Sequence, residues 1–578
     1  MPTRTASSRP KRVLLSGVFG PFGVDDAFGR KENIMELFHN QVTREQGVAS
    51  FRFMHRSFGL YFIAANIDAD VTVLDFPSRD RFIRELKQGY DVVGISFITP
   101  NFVKAREMAR LTRQHAPGAT IVIGGHGAAI EGVETLIDCD HVVKGEGIRW
   151  MREFLGQDPD APIHHPSLSS ADRQSILGVP LLGTHASLLV PGLGCVNACK
   201  FCCTSHFFGR QYTSYLHTGR EMFEVASRIA DERGTEAFFV MDENFLKSPE
   251  RAYELMAEME RHQRFFSFQI FSSAETIVAF GLDNLVRLGV NFIWMGVECR
   301  NPTANFAKNQ GIAPNPLIRA LRARGILVLA SGILAMEHHT PDNIQDDIDY
   351  LVGLEADLVQ FMLLTPLPTT QLYLDMKARG LLREDLPFEE WHGQKHLSYR
   401  NPHFPGDSAE RWLRAAFRQD YETNGSSMYR VTETAVRGYR YFAGLPNRDG
   451  CLEHRFRQAR ATARRYSYML PTVERNAVNA QERARAEALD REASAVMGRP
   501  SPLERLVRFG ARLFADRWNR RVRQSGDGIQ PRTRVTHYRA KSPGAGLSPG
   551  LSGRADSSGA GSRPASNGVA ARVMVKEA

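Results

Sequence analysis

Three cysteines fall in the run Gly194-Cys195-Val196-Asn197-Ala198-Cys199-Lys200-Phe201-Cys202, and no other feature restricts the architecture of the chain so tightly. The spacing C-x-x-x-C-x-x-C gathers three thiolates, and no more, in one short loop. An apolar strand-like run, Ser187 to Val190, leads into it, and Pro191-Gly192-Leu193-Gly194 supplies a flexible approach. Three thiolates hold a [4Fe-4S] cluster with one iron open to a small molecule, whereas a fourth protein thiolate would close the site and leave an electron-transfer centre. A zinc site completed by Cys203 or His206 uses the same residues, although structural zinc loops normally come as two separated ligand pairs. Four of the seven cysteines lie between positions 195 and 203, which packing alone does not explain. Cys139, Cys299 and Cys451 read as small apolar residues, and a disulfide framework does not suit so long a chain without a secretion signal.

At 578 residues the chain is long enough for two or three domains. No run approaches the roughly 18 consecutive apolar residues of a membrane span. The basic segment Met1 to Arg12 precedes Val13 to Phe19, but Gly17, Gly20 and Pro21 fit a first strand and its loop better than a signal peptide. A cytoplasmic location is expected, and it suits an oxygen-sensitive cluster. The net charge of +9 lies largely in Arg-rich sequence beyond Arg455, so no nucleic-acid partner is expected.

From Lys11 to about Trp150, apolar runs alternate with helical segments: Val13 to Val18, Val71 to Leu74, Val92 to Ser96, Thr120 to Ile123 and His141 to Val143, with Phe102 to His115 at helical spacing. Continuous Val/Ile/Leu runs indicate parallel strands buried on both faces. Ligands on such sheets sit beyond the carboxyl ends of the strands. Ser96-Phe97-Ile98-Thr99, Gly124-Gly125-His126-Gly127 and Lys144-Gly145-Glu146-Gly147 stand there, and paired glycines admit a ligand to the backbone. After a polar linker, six further strand signals follow: Ser187 to Val190, Ala237 to Met241, Phe266 to Phe271, Phe292 to Val297, Leu327 to Leu334 and Leu358 to Leu364. Six strand–helix units suit an incomplete β/α barrel, whose chemistry belongs at the carboxyl ends of its strands.

The cysteine triplet with Phe201 before its last member closely resembles the signature of the radical S-adenosylmethionine enzymes. In that family the open iron chelates S-adenosyl-L-methionine, and an electron from the cluster cleaves it to a 5'-deoxyadenosyl radical. The resemblance implies that Cys195, Cys199 and Cys202 ligate a [4Fe-4S] cluster and that Phe201 lies at the S-adenosylmethionine site. Asp242-Glu243-Asn244 ends the second strand, where the family accepts hydrogen bonds from the methionine amino group, so Asp242 and Glu243 are candidate acceptors. Gly296-Val297-Glu298 resembles the family's G-x-E segment, which gives Glu298 the ribose or methionine end. Each carboxylate also has a plainer reading as a rim charge paired with Lys or Arg. The first region resembles the cobalamin-binding domain that precedes many radical SAM domains, which implies cofactor contacts at Ser96, Thr99, Gly124, Gly125 and His126. The loop Gly20 to Asp26 lacks the histidine that many cobalamin proteins place on cobalt. Thr365-Pro366-Leu367-Pro368-Thr369-Thr370 resembles the T-P-x-P-G-T segment of cobalamin-dependent members, with Thr369 in place of glycine. His338 and His339, after the fifth strand, are candidates for a catalytic base or for rim residues capping the next helix.

The expected fold is α/β: a Rossmann-like cobalamin-binding domain (1–150), a linker (151–185), a partial (β/α)6 TIM-type barrel (186–390), a mostly helical region (391–525) and a disordered tail (526–578). Trp391 to Phe404 is placed at the substrate mouth. Leu503, Leu506, Val507, Gly510, Leu513, Phe514 and Trp518 form an apolar stripe opposite Arg505, Arg508, Arg512, Arg517 and Arg520. Docking of this stripe onto the enzyme is expected, with peripheral membrane contact as the alternative. The function implied is a cobalamin-dependent radical SAM methyltransferase that methylates an unactivated carbon of a small-molecule or lipid-like substrate. Its electrons come from a donor such as flavodoxin or ferredoxin. A radical SAM cyclase or rearrangement enzyme, and a non-catalytic cobalamin sensor with structural zinc, are the alternatives.

Overall fold

The continuous Val, Ile and Leu runs that predict doubly buried strands sort, in the computed structural model, onto two faces of one sheet. The structure describes residues 9–18, 56–75, 77–170, 175–176, 179–180, 186–300, 311–525, 533–540 and 574–577. Strands β1 (Arg12–Gly17), β2 (Asp70–Asp75), β3 (Val92–Ser96), β4 (Thr120–Gly124) and β5 (His141–Val142) are parallel, in the order β2-β1-β3-β4-β5. Leu14, Val93, Ile95, Ile121 and Ile123 face one apolar core, and Val13, Leu15, Val71, Val73 and Val122 face the other. The expected helix Phe102–His115 is present. The order reverses at β1, the place where open α/β sheets bind ligands. The loop Gly20 to Asp26 lies outside the described residues.

Within the linker, β6 (Ser175–Ile176) and β7 (Val179–Pro180) pair antiparallel. Beyond it a second sheet is laid down in chain order from β8 (Ser187–Leu189). A short antiparallel pair, β9 (Gly192–Gly194) and β10 (Tyr212–Ser214), brackets the cysteine loop. The parallel strands β11 (Ala237–Val240), β12 (Ser267–Phe271), β13 (Val290–Glu298), β14 (Leu327–Leu334) and β15 (Leu358–Leu363) follow, each beside its predecessor. This is the strand order of a β/α barrel, with β8 and β15 as the two edges of the described sheet. Helices dominate from Ser408 to Ser525. Part of their basic charge is spent inward: Arg430 is buried against Asp420 at 2.8 Å, and buried Arg455 donates to the carbonyl of Phe266 at 2.5 Å.

Two expectations for the C-terminal region need correction. The tail is not disordered throughout, because β16 (Arg534–Tyr538) adds antiparallel to β2, with β17 (Met574–Glu577) beside it. An uncovered β2 would leave an open sheet edge, and Val535 and Thr536 are buried on closing it. The terminal helix Pro502–Ser525 does dock, but through its polar side. Glu504 meets Arg464, Arg508 meets Asp490 and Asp516 meets Arg475, so Leu503, Leu506, Phe509 and Leu513 face outward. No helix among the described residues is long and apolar enough to cross a membrane.

Candidate active site at the facing strand ends

The approach to the cysteine loop is pinned rather than flexible. At Gly194, with φ +89°, a Cβ would stand 2.2 Å from the carbonyl oxygen of Gln211, and at Gly192 it would stand 2.4 Å from that of Thr213. The paired strands β9 and β10 therefore close over glycine alone. Ala198 turns the loop with a left-handed φ of 51°. The Cys202 N–H donates to the Cys199 carbonyl at 3.0 Å, and the Ser205 hydroxyl donates to the Cys195 carbonyl at 2.6 Å. Cys202 then caps the short helix Cys203–Phe207.

Burial pushes the Cys202 thiol up to about 12, and burial with the charge of Glu243 pushes Cys203 up to about 11. Burial raises Cys195 likewise. Such thiols give up their protons to a metal centre rather than to water. Three thiols in one short loop, close enough for their charges to act on one another, are the donor set of a [4Fe-4S] cluster with one open iron.

The acids after β11 divide the work. Glu243 is exposed and its charge reaches Cys195, Cys202 and Cys203. Asp242 is buried and accepts from the Tyr212 hydroxyl at 2.7 Å, from Arg251 at 3.0 Å and from the Asn244 N–H at 3.2 Å. It ties β10 to the end of β11, so its carboxylate is engaged and not open to an ammonium group. Asn244, which spacing did not single out, donates to Ser273 at 3.0 Å and accepts from Ser272 at 3.2 Å, which joins the ends of β11 and β12. Glu298 ends β13 at a register shift, buried, with φ +70°. A left-handed glutamate at a strand end is uncommon, and such strain gathers at functional sites. Phe201 packs against the barrel core.

The histidine pair separates. Buried His339 accepts the Met336 N–H on Nδ1 at 3.1 Å, so Nε2 carries the proton and donates to Asp347 at 2.5 Å. Both nitrogens are committed, and this tautomer leaves His339 neither a base nor a metal ligand, which corrects the catalytic expectation for it. His338 is exposed, its ring 4.4 Å from that of His339.

The predicted cobalamin residues gather at the ends of β3 and β4. Ser96 ends β3, and buried Thr99 begins the turn Thr99–Asn101. Gly124 ends β4. Gly125 has φ +81°, and a Cβ there would lie 2.6 Å from the Phe97 carbonyl and 2.9 Å from the Ser96 hydroxyl. His126 stacks on Phe207, the last residue of the helix that leaves the cysteine loop, at 4.6 Å and 29°. Burial pushes its pKa down, and its buried Nε2 has no partner. An orphaned polar atom beside an open strand end fits a further ligand.

The two sheets thus present strand ends to one another. Lys377 and Tyr373 reach Glu131, Phe388 meets Phe102 at 5.2 Å, and the Val103 N–H donates to Glu389 at 3.2 Å. The Thr365–Thr370 segment belongs to the same wall, since the Leu372 N–H donates to the Lys200 carbonyl inside the cysteine loop at 3.0 Å. Thr369 has φ +73°, and its buried hydroxyl has no partner. Trp391, Tyr399 and Phe404 are buried, and Tyr399 reaches the Ala335 carbonyl just past β14.

Two family models match the chain: a B12 binding domain over residues 46–155 and the Radical SAM superfamily over residues 189–351. The chain is 22% identical over 365 residues to an uncharacterized methyltransferase of Pyrococcus horikoshii, covering 56% of this chain and 79% of that protein. It is 26% identical over 337 residues to bacteriochlorophyllide d C-12(1)-methyltransferase of Chlorobaculum tepidum, covering 54% and 71%. In fold it matches TsrM of Kitasatospora setae, a radical S-adenosylmethionine methyltransferase solved with cobalamin and a [4Fe-4S] cluster. The TM-score is 0.50 at 17% identity, over 79% of this chain and 100% of that one.

Proposed function

We propose that this chain, which joins a B12-binding domain to a radical SAM domain, methylates an unactivated carbon of a small-molecule substrate. The observation that carries the reading is the contact of His126 with Phe207, which sets the ligand-binding ends of the first sheet against the helix that leaves the cysteine loop. A methyl carrier and a radical source must act on one substrate from neighbouring positions, and this packing supplies that neighbourhood. The methyltransferase names of the relatives support the same chemistry.

In this reading Cys195, Cys199 and Cys202 hold a [4Fe-4S] cluster, and Ser96, Thr99, Gly124, Gly125 and His126 hold cobalamin. When bound, these groups supply one-electron cleavage of S-adenosylmethionine and methyl carriage, with electrons from a donor such as flavodoxin or ferredoxin. The chain's own residues position and exclude. Glu243 presents a carboxylate beside the cysteine loop to the methionine ammonium, and Glu298 takes the ribose or methionine end. Asp242, Tyr212 and Arg251 hold β10 over the loop. The buried stretch around Trp391 and Tyr399 keeps water from the barrel mouth. A cytoplasmic setting belongs to the same proposal.

Product analysis of anaerobically reconstituted protein tests it. S-adenosylhomocysteine, 5'-deoxyadenosine and methionine are expected together, with about four irons and matching sulfide per chain. Deoxyadenosine without S-adenosylhomocysteine would transfer the assignment to a cyclase or rearrangement enzyme. Stoichiometric zinc in place of iron would leave only a binding role.

A further inference from the structure

The terminal helix Pro502–Ser525 carries its most apolar surface on the side turned away from the protein. Leu503 is 70% exposed, Leu506 65%, and Phe509 and Leu513 49% each. With Gly510 these residues recur at i, i+3, i+6, i+7 and i+10, so they form one continuous stripe. The helix cannot simply roll to bury it, because the opposite side is clamped. Glu504 accepts from Nε and Nη2 of Arg464 at 2.6 Å each and from Tyr468 at 2.9 Å, Arg508 meets Asp490 at 2.7 Å, and Ala515 is fully buried.

The charge on the outward side has one sign. Arg505, Arg517 and Arg520 are exposed along it, while the helix's two acids, Glu504 and Asp516, are turned into ion pairs with Arg464 and Arg475. An apolar stripe flanked by guanidinium groups and free of acidic side chains complements a bilayer interface. Acyl chains accept the stripe, and anionic headgroups accept the arginines.

We propose that the Leu503 to Leu513 stripe is a docking surface for an anionic phospholipid bilayer, on which the helix lies in the plane of the interface with the rest of the protein held above it. The helix does not span: its apolar side is backed by an ion-paired polar side, which suits the headgroup boundary.

Flotation of the full-length reconstituted protein with vesicles tests this. Vesicles of about 30% phosphatidylglycerol in phosphatidylcholine are expected to carry the protein, and pure phosphatidylcholine vesicles to carry markedly less. About 0.5 M salt weakens the association. Leu506→Asp with Phe509→Asp is expected to lower partitioning at least about tenfold, and Arg517→Glu with Arg520→Glu to remove the preference for anionic lipid. All four positions are exposed, and S-adenosylmethionine cleavage should be unchanged in both variants. Equal partitioning of wild type and the aspartate variant would overturn the proposal, as would failure to float with either vesicle. A wild-type dimer that the aspartate variant converts to monomer would assign the stripe to a second copy of the chain instead.

Discussion

Replacing Thr369 by glycine should stabilise the protein, and the expected size follows from local geometry. Threonine at φ +73° occupies the left-handed region, which costs an L-residue about 1–2 kcal/mol and suits a β-branched side chain least. Its buried hydroxyl lacks a partner, a further cost of about 1 kcal/mol. Against these gains, glycine costs about 0.5–1 kcal/mol through the freedom of the unfolded chain. Removing the half-buried methyl costs up to about 0.8 kcal/mol. The balance favours Thr369→Gly by about 1 kcal/mol, or roughly 2 °C in Tm for a barrel-sized unit. Thr369→Ala removes the hydroxyl but keeps the Cβ at positive φ, so its gains and losses cancel to within about 0.5 kcal/mol. Thermal unfolding of the apo and reconstituted proteins, followed in the transition that contains the barrel, reads the difference. A lower Tm for the glycine variant, or a rise with alanine as large as with glycine, would refute a backbone origin of the strain.

Three further outcomes can be checked. Gly194→Ala retains all three cysteines yet should lose most of its iron on reconstitution, because its Cβ would sit 2.2 Å from the Gln211 carbonyl; full iron loading would show that β9 and β10 can part without cost. Gly125→Ala should lower cobalamin retention on gel filtration by about tenfold or more with iron content unchanged, since the new Cβ would meet the Phe97 carbonyl at 2.6 Å; unaltered retention would move the cofactor elsewhere. His165 is buried and neutral, bonded to the Pro166 carbonyl and the Val190 N–H at 2.9 Å each, and burial pushes its pKa down to about 3. The unfolded chain therefore takes up this proton first, so the stability His165 contributes is intact above about pH 6.5 and declines by up to about 1.4 kcal/mol per unit below it. Tm measured from pH 7.5 to 5 should fall more steeply in the wild type than in His165→Gln, and parallel curves would count against the assignment.

The strands that carry the site were legible because burial on both faces leaves continuous apolar runs, and Val92–Ser96 and Leu327–Leu334 have the expected limits. The cysteine loop was legible because its ligands lie within eight residues of one another in the chain. Side-chain partners were not. Asp242 read as an open acceptor because nothing local announces Tyr212, thirty residues earlier. His339 read as a base because its partner Asp347 lies on the next helix. The five-residue strand β16 was hidden in a Gly/Ser-rich tail, since its pairing partner β2 lies more than 450 residues away.

By itself the sequence determined two sets of parallel strands alternating with helices, and a loop of three thiolates at a strand end, because periodicity and ligand spacing are properties of neighbouring residues. Only the tertiary structure decided that His126 stacks on Phe207, that Thr369 is held in a glycine's conformation and that the terminal helix turns its apolar stripe outward. Those outcomes depend on which distant surfaces meet, and the balance of burial, ion pairing and strain that selects them arises only once the chain has closed on itself.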